Sequence, residues 1–191
     1  MTPASSGSRM TIAAVVGGMP ISADEVDARE ARLRQSRSVS SLPRPGTSEG
    51  RQLRRWLTQL LVTERVVAAE ARARGLQADG APTEDDLLPD MSVRLEIGSV
   101  AASVLSDPLA RALFVSVTDT VDVTDDAVTG YESRNPSRFA DTDAVAEHLR
   151  AAARRRAFRL WLDARCAALV ELAPGYEHPG DPRQPDNTHR H

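Results

Sequence analysis

Two periodicities run along this chain. Over residues 11–16, Thr-Ile-Ala-Ala-Val-Val forms a short β-branched run stopped by Gly17-Gly18, the pattern of a strand and a tight turn. Pro20-Ile21 then leads into a helix, where Ser22 can cap the N-terminus and Glu25 stands at the capping-box spacing. That helix is expected to reach about Gln35. Residues 36–50 are rich in Ser, Pro and Gly and read as a surface loop.

The clearest helix is predicted over residues 51–75, where Leu53, Trp56, Leu57, Leu60, Leu61, Val66 and Val67 make one broad apolar stripe. Arg72 and Arg74 suit its negative end and Gly75 supplies a stop. After a loop through Pro82, Thr83-Glu84-Asp85-Asp86 opens a helix that is interrupted at Pro89 and carried to Ser106 by Val93, Leu95, Ile97, Val100, Val104 and Leu105. Asp107-Pro108 starts a shorter helical piece to about Val115. Residues 117–123 alternate, as a short strand or extended link would, and Thr124 caps a brief helix ending near Asn135-Pro136. From Thr142 the helical period returns for about thirty residues, with Val145, Leu149, Phe158, Trp161, Leu162, Leu169 and Val170 facing inward. Its arginines, Arg150, Arg154, Arg155, Arg156, Arg159 and Arg165, are expected mostly to face out, on a solvated face or toward an acidic partner.

Composition refines this mainly-α picture. Aromatic residues are only 4%, so the core is built from Ala, Leu and Val. The 24 basic residues are all arginine, as a high-GC bacterial genome would produce. A net charge of −3 gives no chain-wide attraction to nucleic acid or an anionic membrane. The one cysteine, Cys166, excludes a disulfide within the chain and reads as a buried thiol. Ile12 to Val16 is too short an apolar stretch for a signal-peptide core or a membrane span, which leads to a cytoplasmic expectation.

Gly46-Thr47-Ser48-Glu49-Gly50 fits the G-x-S-x-G pattern of acyl-transfer enzymes. That chemistry needs a central strand before the serine. Pro43 and Pro45 remove the ladder donors such a strand would use, so Ser48 reads as the end of a loop and a helix cap.

Residues 12–29 (IAAVVGGMPISADEVDAR), the segment ERVVAAEARARGL ending at Leu76, and residues 123–139 (VTDDAVTGYESRNPSRF) together resemble the chaperone-like domain that surrounds the isomerase module in SurA/PrsA-type parvulin foldases. The resemblance implies that the first strand pairs with a late one, placing Val170-Glu171-Leu172 beside residues 12–16. It puts Tyr131, Asn135, Pro136 and Phe139 at the family's Asn-Pro-x-x-Phe segment, and a long final helix after it. The chain departs from the family where the parvulin module would follow Phe139, since the final helix begins there almost at once. The resemblance therefore implies a chaperone-like fold without prolyl isomerase activity.

The resulting fold class is mainly α: a single helical domain over residues 11–173 with a small two-stranded pairing of its N- and C-terminal segments, a flexible arm over 1–10 and a tail over 174–191. The tail carries three of the four histidines. His189 and His191 stand two apart, so an extended strand points both to one side. His178, Asp181 and Asp186 can complete a sphere if Pro179, Pro182 and Pro185 fold the segment back, which suits a divalent transition metal such as zinc, copper or iron. Without metal, the same tail can be disordered, can dock to recognise a partner, or can offer a histidine as general base. His148, mid-helix, reads as a boundary residue or a distant fourth ligand.

Two functions follow. One is a helical scaffold whose tail binds a divalent transition metal, either as an enzyme centre or for structural closure; the other is a chaperone-like or accessory module that binds a peptide or protein. A small molecule or a protein or peptide is the expected partner, nucleic acid and membrane are not, and homo-oligomerisation is open. The lack of lysine excludes side-chain Schiff-base chemistry, and neither a phosphate loop nor a dinucleotide fingerprint occurs.

Overall fold

The computed structural model describes residues 10–36 and 42–181. Strand β1 (Ile12–Val16) runs into Gly17 and Gly18, whose φ angles of 54° and 83° lie where residues with a Cβ are disfavoured. Two successive positive φ values match the twist of a hairpin, so the chain returns as β2 (Met19–Ser22) instead of leading straight into a helix. Pro20 is accommodated because β2 is an edge strand in the order β2-β1-β3. β3 (Val170–Leu172) pairs antiparallel with the other side of β1, Ala14 opposite Leu172 and Val16 opposite Val170. The expected pairing of the two ends is thus present, enlarged by β2 to three strands.

The register of β1 against β2 slips between Ile12 and Ala14. Ala13, at this bulge, and its neighbour Ala14 are both fully buried. Ser22 and Glu25 form the expected reciprocal cap, the Glu25 carboxylate accepting from the Ser22 amide at 2.8 Å and Ser22 Oγ from the Glu25 amide at 3.2 Å. They start α1 (Ala23–Ser36).

The next helix, α2 (Ser48–Ala73), begins one residue after its cap. Thr47, not Ser48, accepts from the Gly50 amide at 3.0 Å and donates to the Arg44 carbonyl at 2.8 Å. The loop therefore folds tightly onto the helix start, and a Cβ at Gly50 would lie 2.2 Å from the Arg44 oxygen. At its far end, Gly75 at φ 65° takes the left-handed position, and the Leu76 and Gly75 amides close onto the carbonyls of Ala71 and Arg72.

The chain divides into two compact units. The first comprises residues up to Val66 together with Leu169 onward, and the second spans Val67–Ala168. In the first, Ala13, Val26 and Leu57 form a buried cluster against which Leu33, Leu53, Trp56, Leu61 and Tyr176 pack. Ion pairs of α2 with α1 surround it: Arg29 meets Glu64 at 2.7 Å, Arg65 meets Glu25, and Arg54 meets Asp27.

The second unit holds α3 (Glu84–Leu87), α4 (Met91–Ile97), α5 (Ser99–Val104), α6 (Pro108–Thr118), α7 (Asp125–Arg134) and most of α8 (Thr142–Leu169). Thr83, Asp90, Asp107 and Thr124 cap α3, α4, α6 and α7 in turn. The helix expected to continue from Pro89 to Ser106 is broken at Gly98, whose φ of 94° ends α4. Residues 117–118 complete α6, so no strand forms over 117–123. Leu88, Leu105, Leu113 and Phe158 are fully buried, and the rings of Phe114 and Phe158 lie 5.2 Å apart.

The fold is mainly α with a small antiparallel sheet, as its sequence indicates. Among the described residues no helix is long and apolar enough to cross a membrane. The arm over 1–10 lies, except for Met10, outside the described residues.

Two glycine substitutions separate conformational freedom from space. Gly50→Ala is expected to destabilise the protein by about 1–3 kcal/mol, because its Cβ meets backbone that cannot yield cheaply. Gly130→Ala, within α7 and meeting only Arg134 side-chain atoms at 3.7 Å or beyond, is expected to stabilise it by about 0.5–1 kcal/mol. Urea unfolding of the two variants measures both.

Candidate functional site

The start of the tail is built onto the first unit. The Ala173 amide donates to the Ala13 carbonyl at 3.0 Å, extending the β1–β3 pairing by one bond. Tyr176 then packs on the Ala13–Val26–Leu57 cluster with its hydroxyl 3.5 Å from Arg54 Nη2. Glu177 lies 3.8 Å from the buried Arg55 and accepts from the Gly175 amide at 2.8 Å. That amide is the main reason its carboxyl titrates below the ordinary 4.5.

His178 and Asp181 follow in a single turn. The Asp181 amide donates to the His178 carbonyl at 2.9 Å, and the Gly180 amide donates to His178 Nδ1 at 3.0 Å. An Nδ1 that accepts places the proton of the neutral ring on Nε2, which then has no lone pair for a metal. Asp186, His189 and His191 lie outside the described residues. Among the described residues no group of three or more His, Cys, Asp or Glu side chains is placed to hold a metal ion.

His148 has a different setting. In the second unit its ring centre lies 4.9 Å from that of Phe139 and 5.7 Å from that of Tyr131, with those two rings 6.1 Å apart. Asn135 Nδ2 donates to the Tyr131 carbonyl at 3.0 Å. The Tyr131, Asn135 and Phe139 set is thus a local packing unit between α7 and α8, with His148 as its edge. Cys166 is half-buried on α8.

The second unit also contains an open pocket of about 740 Å³. One wall is apolar, with Leu87, Phe114, Val115 and Ala151. Another is basic and comes from successive turns of α8: Arg150, Arg154 and Arg155. The exposed carboxylates Asp86, Asp143 and Glu147 complete the lining.

The three arginines differ in how they are used. Arg150 Nε donates to Asp122 at 2.9 Å. Arg154 Nε donates to Thr118 Oγ1 at 2.9 Å, Thr118 in turn donates to the Phe114 carbonyl at 2.7 Å, and the guanidinium lies 5.4 Å over the Phe114 ring. Arg155 is only 6% exposed, and its Nε is buried with no hydrogen-bond partner among the described residues. Its field reaches Asp90, but the Asp90 carboxyl is held below its ordinary value chiefly by Ser92 and the Val93 amide, with Arg155 the smallest contributor.

The comparison with Arg55 is instructive. Both arginines are buried, at 4% and 6% exposure, and in both Nε lacks a hydrogen bond, but Arg55 has the Glu177 carboxylate 3.8 Å away. A buried charged donor without an acceptor costs about 1–3 kcal/mol or more. Arg155 carries that cost at Nε and lies at the border of the large pocket and of a smaller one of about 200 Å³ lined also by Glu96, Arg156 and Arg159.

This corrects the expectation for the α8 arginines. Arg156 and Arg159 are exposed and Arg150, Arg154 and Arg165 half-buried, but Arg155 faces in. The signal was in the spacing: residue 155 lies three before Phe158 and seven before Leu162, on the apolar stripe itself.

A family model described as "Family of unknown function (DUF7158)" matches residues 12–49, which include the hairpin, α1 and the first residues of α2. No curated protein and no solved structure gives a match to the chain.

Replacing the Arg155 guanidinium by an apolar side chain of similar length removes the unmatched donor. Arg155→Met is expected to raise the unfolding free energy by about 1–2 kcal/mol, read from chemical denaturation. A loss of stability would show instead that the guanidinium is satisfied where it stands.

Proposed function

We propose that this chain is a binding module whose second unit holds a small ligand bearing both charge and apolar surface. The observation that carries this reading is Arg155, a buried arginine whose Nε has no hydrogen-bond partner among the described residues, at the wall of an open pocket. Stability alone would favour an apolar residue there, and retained cost at a concave site is a mark of binding function. The pocket volume lies in the range of small-molecule sites, about 300–1,000 Å³. The resemblance to chaperone-like domains supports a binding role as well.

Amide NMR of the full chain, titrated with a panel of small amphipathic acids, amines and neutral compounds, tests the reading. Binders are expected to shift resonances of residues 80–87, 114–115 and 143–155, and Ala151→Trp, which fills the pocket, is expected to abolish those shifts. A panel without binders, or shifts centred elsewhere, overturns it.

A second reading keeps the tail as a divalent-metal site, with His178, Asp181, Asp186, His189 and His191 as ligands for zinc, copper or iron. Its support is that the contacts of Tyr176 and Glu177 hold the start of the tail in place, with His178 and Asp181 in one turn. Coordination through His178 Nε2 requires the Nδ1–H tautomer and so gives up the Gly180 bond, which is why the pocket is preferred. On the metal reading, chain purified without a tag takes up one equivalent of zinc at micromolar concentration. Combined His178→Ala, His189→Ala and His191→Ala substitution abolishes that uptake, and failure of the intact chain to bind discards the reading.

A further inference from the structure

We infer that the ligand of the second-unit pocket is a monocarboxylic acid with an apolar body, and that Arg155 receives its carboxylate. The inference rests on the binding reading above and narrows it to one chemical class.

The charge inventory of the pocket selects the anion. Arg150 is already matched by Asp122, and Arg154 by Thr118 Oγ1 and the face of Phe114. That leaves Arg155, of the three, with a buried Nε that has no hydrogen-bond partner among the described residues, a donor for a ligand acceptor to meet. Arginine presents its donors as a planar fork, which two carboxylate oxygens match. A phosphate monoester would bring a second negative charge. It would also share the pocket with Asp86, Asp143 and Glu147, three exposed carboxylates that oppose a dianion more strongly than a monoanion. Asp86 stays ionised, because the hydroxyl and amide of Thr83 hold its carboxyl below the ordinary 3.8.

The remaining wall selects the body. Leu87, Phe114, Val115 and Ala151 offer apolar surface beside the arginine, and Val115 is 38% exposed, an apolar side chain open to a ligand. A purely polar acid leaves that surface wet, and a neutral apolar molecule leaves Arg155 unmatched. An alkyl or aryl carboxylic acid satisfies both.

Calorimetric titration of the full chain with decanoate, decan-1-ol and decyl phosphate tests this. Decanoate is expected to bind most tightly of the three. Arg155→Met is expected to weaken decanoate by about 10- to 100-fold, the usual worth of a hydrogen bond to a charged group, and to leave decan-1-ol unchanged. Arg155→Lys, which keeps the charge and loses the fork, is expected to fall between. In the unsubstituted chain the Arg155 Nε–H resonance is expected to shift on adding decanoate, a readout that stands even if a variant fails to fold. Equal or tighter binding of decan-1-ol or decyl phosphate, decanoate binding that survives Arg155→Met, or an unmoved Nε–H resonance overturns the carboxylate inference and leaves the binding module intact. If none of the three ligands binds, the carboxylate inference falls. The binding module falls with it only when the wider panel of acids, amines and neutral compounds is also silent.

Discussion

The pairing of β3 with β1 is the constraint on which the first unit depends. It joins Val16 to Val170 and Ala14 to Leu172, and the Gly17 amide adds a bond to the Leu169 carbonyl at the end of α8. With β1 already paired to β2, both edges of the central strand are satisfied, so its buried alanines carry no orphaned backbone groups. The chain leaving β3 then has one course, along which Ala173 bonds Ala13 and Tyr176 reaches the cluster beneath. Without that pairing, Tyr176 and Glu177 would have to find Arg54 and Arg55 at the full entropic cost of a free chain end.

Charge is managed differently in the two units. In the first, acids and arginines meet pairwise across α1 and α2, and the one buried acid of α1, Glu30, is held by Arg34 at 2.6 Å and Arg54 at 3.3 Å. Such half-exposed pairs add roughly 0–1 kcal/mol each, so their effect is to set which faces meet more than to hold them together. In the second unit α8 places Arg155 on its inward stripe, and among the described residues no carboxylate forms an ion pair with it. The residue borders a pocket open to solvent, where the proposed ligand would complete the balance.

Legibility followed the range of the interactions. The Ser22–Glu25 and Thr83–Asp86 caps, the Asp107-Pro108 start and the Gly75 stop are each set within a few residues, and each is readable from spacing alone. β2 was missed because Pro20 argues against a strand until it is known that its strand lies on an edge. The helix break at Gly98 was missed because the apolar period runs through it, and a single glycine is compatible with either outcome. The tail attracted notice for its composition, yet its described part is distinguished by Tyr176 and Glu177, whose roles depend on partners more than a hundred residues away.

The amino-acid sequence by itself determined the helical class, most of the helix starts and stops and the turn at Gly17-Gly18, because these depend on φ preferences, caps and periodicity. Only the tertiary structure decided which polar residues are matched. Arg55 and Arg155 are both arginines in amphipathic helices, and nothing local separates them. One meets a glutamate brought from the far end of the chain, and the other meets a cavity, because the acceptor of a buried charge is a neighbour in space and not in sequence.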